Sequence, residues 1–333
     1  MSDASSGGLF VLAAAVSLAS SWMLVSSLGR LGARLGLSEA LLGMFAATAA
    51  DAPEITAAVT ALGRHQHSVG AGVAIGSNVF NLAALLGLSA VVAGRIALHR
   101  RVIILSGLVA VWISVACLVV VVGLVSPVAG LVVVLAALLP YLAVLGVRRE
   151  RLVQGRRLRS WRSWLAAAVH EEELELEVAI HPGRGRRADV LLAALSGLVV
   201  VGASISMERA ATRLGTQLAV PEIVVGGLVL AAVTSLPNAV AALYFAARGR
   251  GTVVLSTALN SNAINVVAGL LLPASVLGLG PPSGSVTFVA AAYAAMTALA
   301  LALAYVNGGL RRGSGVVVIA GYLVVAGVLI ARA

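Results

Sequence analysis

Ten apolar stretches, each about 20 residues long and almost free of charge, decide which solvent this chain must fold in. They lie near Leu9 to Leu28, Ala40 to Leu62, Val69 to Val92, Val102 to Val122, Val128 to Val147, Val190 to Ser206, Ile223 to Ala246, Val253 to Leu272, Val286 to Tyr305 and Val316 to Ile330. With 60% hydrophobic and 11% charged residues and a mean hydropathy of +1.04, solubility would require burying nearly every segment on all sides. A bilayer provides that burial directly, so the expectation is an all-α integral membrane protein with ten transmembrane helices. Five spans lie on each side of a polar segment from Arg148 to Arg187. This divides the chain into a first half (1–147), a central loop (148–187) and a second half (188–333).

The two halves share a pattern. Asp51-Ala52-Pro53-Glu54 is followed by Ser77-Asn78-Val79-Phe80-Asn81. Thr234-Ser235-Leu236-Pro237-Asn238 is followed by Ser261-Asn262-Ala263-Ile264-Asn265. Pro53 and Pro237, and Asn81 and Asn265, are each 184 positions apart, and Arg30-Leu31-Gly32 matches Arg213-Leu214-Gly215 at 183. Because each half has an odd number of spans, the second copy must cross the membrane in the opposite sense, which makes two inverted five-helix repeats.

Arginine distribution sets the orientation. All 23 basic residues are arginine, 19 in one set of alternate loops and four (Arg64, Arg209, Arg213, Arg332) in the other. The expectation is both termini outside, the central loop cytoplasmic, and a multi-pass protein of a cell membrane, read as a bacterial inner membrane. The net charge of +10 then reflects topology and contact with anionic inner-leaflet lipids, and no aromatic and basic constellation points to nucleic acid. Met1 to Gly8 lacks a basic leader, so the first span is read as retained. Cys117, the single cysteine, reads as apolar filler in the fourth span.

Within the expected spans, Asp51 and Glu54 are the deep acids, and their i, i+3 spacing puts both carboxylates on one helix face. Ionisable groups at such depth are costly and mark a pathway or a partner. Pro53 and Pro237 each lack an amide proton, so each should break a helix and free carbonyls at that level. Carboxylates, hydroxyls and amide oxygens are the ligands of hard cations. The expected cation site is therefore Asp51, Glu54, Ser77, Asn81, Thr234, Ser235, Asn238, Ser261 and Asn265.

The two segments resemble the paired alpha-repeats of the calcium/cation antiporter superfamily, the sodium/calcium exchanger membrane region, across roughly residues 9 to 147 and 190 to 330. Gly76-Ser77-Asn78-Val79-Phe80-Asn81 and Thr234-Ser235-Leu236-Pro237 carry the resemblance. It implies a secondary active antiporter that exchanges Ca2+ for Na+ or H+ by alternating access, the first and sixth helices sliding over a rigid core. The cations would be cargo, with no cofactor and no enzymatic activity. Two departures stand out: Ala50-Asp51 replaces the usual Thr-Ser, and Asn238 stands where many members have a second essential glutamate. The alternatives are a Na+/H+ antiporter using the same carboxylates, a channel, and an intramembrane metal-dependent hydrolase. Against the hydrolase, all five histidines fall in loops or at span edges.

Among weaker features, His65 and His67 read as a solvated outer loop. The stretch Arg156 to His170, with Trp161, Trp164 and Leu165 at helical spacing, reads as lying on the inner membrane surface, and Glu171 to Glu177 as a solvated charge run.

Overall fold

In the computed structural model of the protein, residues 3–34, 48–146 and 187–332 are described. The central loop, including Trp161, Trp164 and Glu171 to Glu177, and the start of the expected second span lie outside these residues. Among the described residues the chain is helical apart from one small antiparallel ribbon. The elements run α1 (Asp3–Arg34), α2 (Ala52–Gly63), α3 (His67–Ala93), β1 (Arg95–Ala97), α4 (Arg100–Val121), α5 (Pro127–Gly146), α6 (Arg187–Gln217) and α7 (Glu222–Thr234). There follow α8 (Leu236–Ala247), α9 (Gly251–Leu277), α10 (Gly284–Asn307), β2 (Gly309–Arg311) and α11 (Arg312–Ala331). Seven of these helices (α1, α3, α4, α6, α9, α10 and α11) are long and apolar enough to cross a membrane, and α7 with α8 form a further span bent by 46°. Their outward faces remain apolar: Leu12, Trp22, Leu108, Trp112, Leu195, Leu198 and Leu323 are all exposed, a surface suited to lipid.

Burial sorts the helices into layers. Of the most apolar windows of α3 and α9, 78% and 72% of residues are buried, against 33% in α1 and 28% in α6. The centre is therefore α3 and α9, and α1 and α6 pack along one another at the side. Glycines allow the central approach. A Cβ on Gly76 would sit 2.3 Å from the Gly227 carbonyl oxygen, and one on Gly226 would sit 2.4 Å from the carbonyl oxygen of Val69, so α3 and α7 touch backbone to backbone. Both central helices also widen to π geometry next to the motif asparagines, over Leu82–Leu88 and Asn265–Leu271, as α7 does over Val225–Leu230. Such wide turns are frequent at functional positions.

The helix breaks fall at the two prolines. Residues 48–50 are helical, Asp51 is a turn, and α2 starts at Ala52 with Pro53 in its first turn, where no amide donor is needed. Ser235 separates α7 from α8 in the same way, with Pro237 in the first turn of α8. The backbone angles match closely, φ −81° and ψ −5° at Asp51 and φ −83° and ψ −3° at Ser235. The ribbon β1–β2 pairs Arg95 with Arg311 and Ile96 with Leu310, tying the α3–α4 connection to the one before α11.

The helix that carries the sixth apolar stretch runs on past Ser206 to Gln217, and on it a third acid, Glu208, is buried. The helix persists past its apolar window because Met207, Ala210 and Ala211 keep one face buried. Glu208 is held by Arg64, whose Nη1 lies 3.3 Å from Oε2, and by the Thr212 hydroxyl, which donates to Oε1 at 3.1 Å.

Candidate cation site

Each break presents a polar turn to the motif segment of the opposite half. From α2 come Glu54 and, at its N-cap, Asp51. α3 brings Ser77, Asn78 and Asn81, the α7–α8 break brings Thr234, Ser235 and Asn238, and α9 brings Ser261, Asn262 and Asn265. All of these side chains are buried.

Seven of the nine expected residues join, through Asn78 and Asn262, in one hydrogen-bonded ring. Asp51 Oδ1 accepts from Asn238 Nδ2 and from the Ser261 hydroxyl, both at 2.6 Å. Glu54 Oε1 accepts from the Ser235 hydroxyl, and its Oε2 accepts from Asn265 Nδ2 at 2.8 Å. Asn81 Nδ2 donates to Ser261 Oγ at 3.1 Å. Each carboxylate is thus held by the opposite half of the chain.

The other two behave differently. The Thr234 hydroxyl turns back on its own helix, donating to Leu230 O at 2.8 Å. Ser77 is buried, and its Oγ has no partner among the described residues. Three further oxygens of the group share that condition: Asp51 Oδ2, Asn81 Oδ1 and Asn265 Oδ1. Buried polar atoms are normally hydrogen-bonded, because leaving one unpaired costs about 1–3 kcal/mol. Four unpaired oxygens on the motif residues, one of them on a carboxylate, are of the chemical kind that ligates hard cations. Among the described residues no three His, Cys, Asp or Glu side chains converge, so oxygen from carboxylate, hydroxyl and amide is the chemistry on offer.

Two residues outside the expected set belong to this group. Asn78 Nδ2 donates to the main-chain oxygen of Asn262 at 3.1 Å, and Asn262 Nδ2 donates to that of Asn78 at 3.2 Å. The signal that could have found them is their own separation of 184, the same as that of the flanking motif residues.

Outside the ring, α1 meets α6 through the Ser17 and Ser204 hydroxyls, 2.8 Å apart, and through Arg30 Nε to Asp189 Oδ1 at 2.7 Å. α1 also reaches the first break, where the Ser21 hydroxyl donates to Ala49 O at 3.2 Å.

Comparison with known proteins bears on what this arrangement serves. The family model described as sodium/calcium exchanger protein matches residues 5–148 and 189–331. Sodium/potassium/calcium exchanger 3 of rat and that of human are each 34% identical over 92 residues. That segment is 28% of this chain but only 15% of the rat protein and 14% of the human one. In fold, the chain is similar to the H+/Ca2+ exchanger CAX, with TM-score 0.68 and 13% identity over 98% of this chain and 86% of that one. It is likewise similar to the sodium-calcium exchanger NCX_Mj, with TM-score 0.61 and 21% identity over 97% of this chain and 98% of that one.

Proposed function

The chain belongs to the sodium/calcium exchanger family, and from that premise we propose that it is a secondary active antiporter exchanging Ca2+ for Na+ or H+ by alternating access. It is a multi-pass membrane protein. The observation that carries the reading is the buried ring in which Asp51 and Glu54 stand with Asn81, Ser235, Asn238, Ser261 and Asn265, with four oxygens, on Asp51, Ser77, Asn81 and Asn265, left unpaired. Thr234 belongs to the same turn; its hydroxyl proton is committed to Leu230 O, which leaves the oxygen's lone pairs as its one means of meeting a cation.

The chemistry follows from charge. Two buried carboxylates without a basic partner in the ring demand compensation, which one divalent ion or two monovalent ions provide equally. Exchange of about two for one keeps the site neutral in both loaded states and moves little net charge. A Na+/H+ antiporter would use the same carboxylates, but the family membership favours Ca2+ as one of the cargoes.

The experiment is Ca2+ uptake by proteoliposomes containing the purified protein, with sodium and pH gradients imposed separately. Uptake is expected to be driven by one of the two gradients and to stop when it is collapsed. Uptake indifferent to both would indicate a channel, and proton-driven sodium movement without Ca2+ movement would favour the monovalent antiporter.

The architecture we propose is ten spans in two inverted five-helix halves, 1–147 and 188–333, joined by a cytoplasmic loop over 148–187. The matched turns at Asp51 and Ser235 and the arginine asymmetry support it. A reporter fused after Ala333 is expected on the outer face and one inserted near Gly155 on the inner face, with anionic lipid against the inner arginines. Reporters on the same face would exclude this arrangement.

A further inference from the structure

Asn78 and Asn262 offer no unpaired oxygen, yet the orientation of the ring depends on them. That dependence begins at the backbone. A main-chain carbonyl can only accept, so the Asn78 side chain must present its NH2 end to Asn262 O, and Asn262 must present its own to Asn78 O. With their nitrogens committed, the side-chain oxygens of both must point away and act as acceptors. Each meets an asparagine of the opposite half: Asn262 Oδ1 accepts from Asn81 Nδ2 at 3.1 Å, and Asn78 Oδ1 accepts from Asn265 Nδ2 at 3.2 Å. The nitrogens of Asn81 and Asn265 are held in turn, with Ser261 Oγ and Glu54 Oε2 as their second acceptors, and their oxygens become the unpaired ones.

We propose that Asn78 and Asn262 are positioning residues that set the polarity of the site, Asn262 holding Asn81 and Asn78 holding Asn265 with their amide oxygens toward the cation. The inference rests on the ring being a cation site. A primary amide presented the other way round offers two N–H donors, which repel a cation, so one rotation about the last side-chain bond turns a ligand into an obstacle. The backbone anchors make the two relays independent. In Asn78→Ala the main-chain carbonyl at that position remains, so Asn262 keeps its anchor and Asn81 keeps its hold, and the converse applies to Asn262→Ala.

That independence supplies the test, a set of double-mutant cycles read as the half-saturating Ca2+ concentration for uptake by the full chain in proteoliposomes. Asn262→Ala and Asn81→Ala are each expected to raise it about tenfold, and their double variant to be at most about twofold worse than either, because the second removes an oxygen the first had already released. Asn262→Ala with Asn265→Ala is expected to multiply to about a hundredfold. The mirror pattern is expected for Asn78, coupling to Asn265 and adding to Asn81. If an alanine variant does not fold, the same cycles with Asn78→Ser and Asn262→Ser carry the test. Equal coupling of Asn262 to Asn81 and Asn265, as loss of helix packing alone would give, would overturn the inference, as would an unchanged half-saturating concentration. Asp51→Asn separates the two levels. If it leaves Ca2+ affinity intact, the cation site itself falls and the relay with it, whereas lost affinity in Asp51→Asn with no selective coupling overturns the relay alone.

Discussion

Replacing Asp51 with asparagine, or Glu54 with glutamine, is expected to lower Ca2+ transport by at least about 100-fold while leaving the protein folded and inserted. The carboxylates are buried and, among the described residues, no arginine faces them in the ring, so on the proposed function the transported cations would be their compensation. Removing one partner of a buried charge pair costs about 3–5 kcal/mol, and each 1.4 kcal/mol is a factor of ten in binding. The amide variants keep the shape and much of the bonding. In Asp51→Asn the new amide oxygen could still accept from Asn238 and Ser261, so loss of transport would report the missing charge and not a collapsed ring. The measurements are Ca2+ flux in proteoliposomes and the thermal midpoint of the same preparations. Full transport by either variant would remove that carboxylate from the site.

A second large effect is expected far from any charge. At Gly76 even a single methyl group would enter the Gly227 backbone, with the carbonyl oxygen at 2.3 Å and the Cα at 2.6 Å, and at Gly226 it would meet Val69 O at 2.4 Å. Neither neighbour is a flexible side chain that can step aside, so the helices must separate. Gly76→Ala and Gly226→Ala are each expected to cost about 3 kcal/mol, at the upper end of overpacking, and to lower the thermal midpoint in detergent sharply. Gly327→Ala, on a helix with nothing within 4 Å of the added carbon, is the control and is expected to be neutral or slightly stabilising. Equal midpoints for Gly76→Ala and Gly327→Ala would show that α3 and α7 do not meet so closely.

What could be read from the chain beforehand follows the range of the interactions concerned. The apolar stretches and proline breaks were legible because solvent and backbone chemistry act locally: Pro53 and Pro237 stand in the first turns of the helices they open. Asp51 and Glu54 were legible because a carboxylate in an apolar span is conspicuous wherever it ends up. Glu208 was not, since hydropathy falls after Ser206 while the helix continues on the strength of contacts made by Met207, Ala210 and Ala211. Ser77 and Thr234 had equal standing as hydroxyls in duplicated motifs, yet one is left without a partner and the other bonds its own turn, a difference settled by neighbours distant in sequence. The part played by Asn78 and Asn262 was the least visible, because the role of an amide depends on which of its ends is occupied, here by a residue 184 positions away.

The unequal lengths of the helices make the surrounding lipid part of the machinery. At 1.5 Å per residue, α1 with 32 residues and α6 with 31 measure roughly 47 Å, whereas α11 with 20 measures about 30 Å, the thickness of a hydrocarbon core. In one bilayer, α11 can stand nearly upright while α1 and α6 must lean or project. Bound to each other through Ser17–Ser204 and Arg30–Asp189, they must do so as a pair, and the Glu208–Arg64 contact ties that pair to the end of the helix that bears Glu54. Acyl-chain length is therefore expected to act on the geometry of the proposed cation site, with longer chains drawing the pair upright and shorter ones tipping it over.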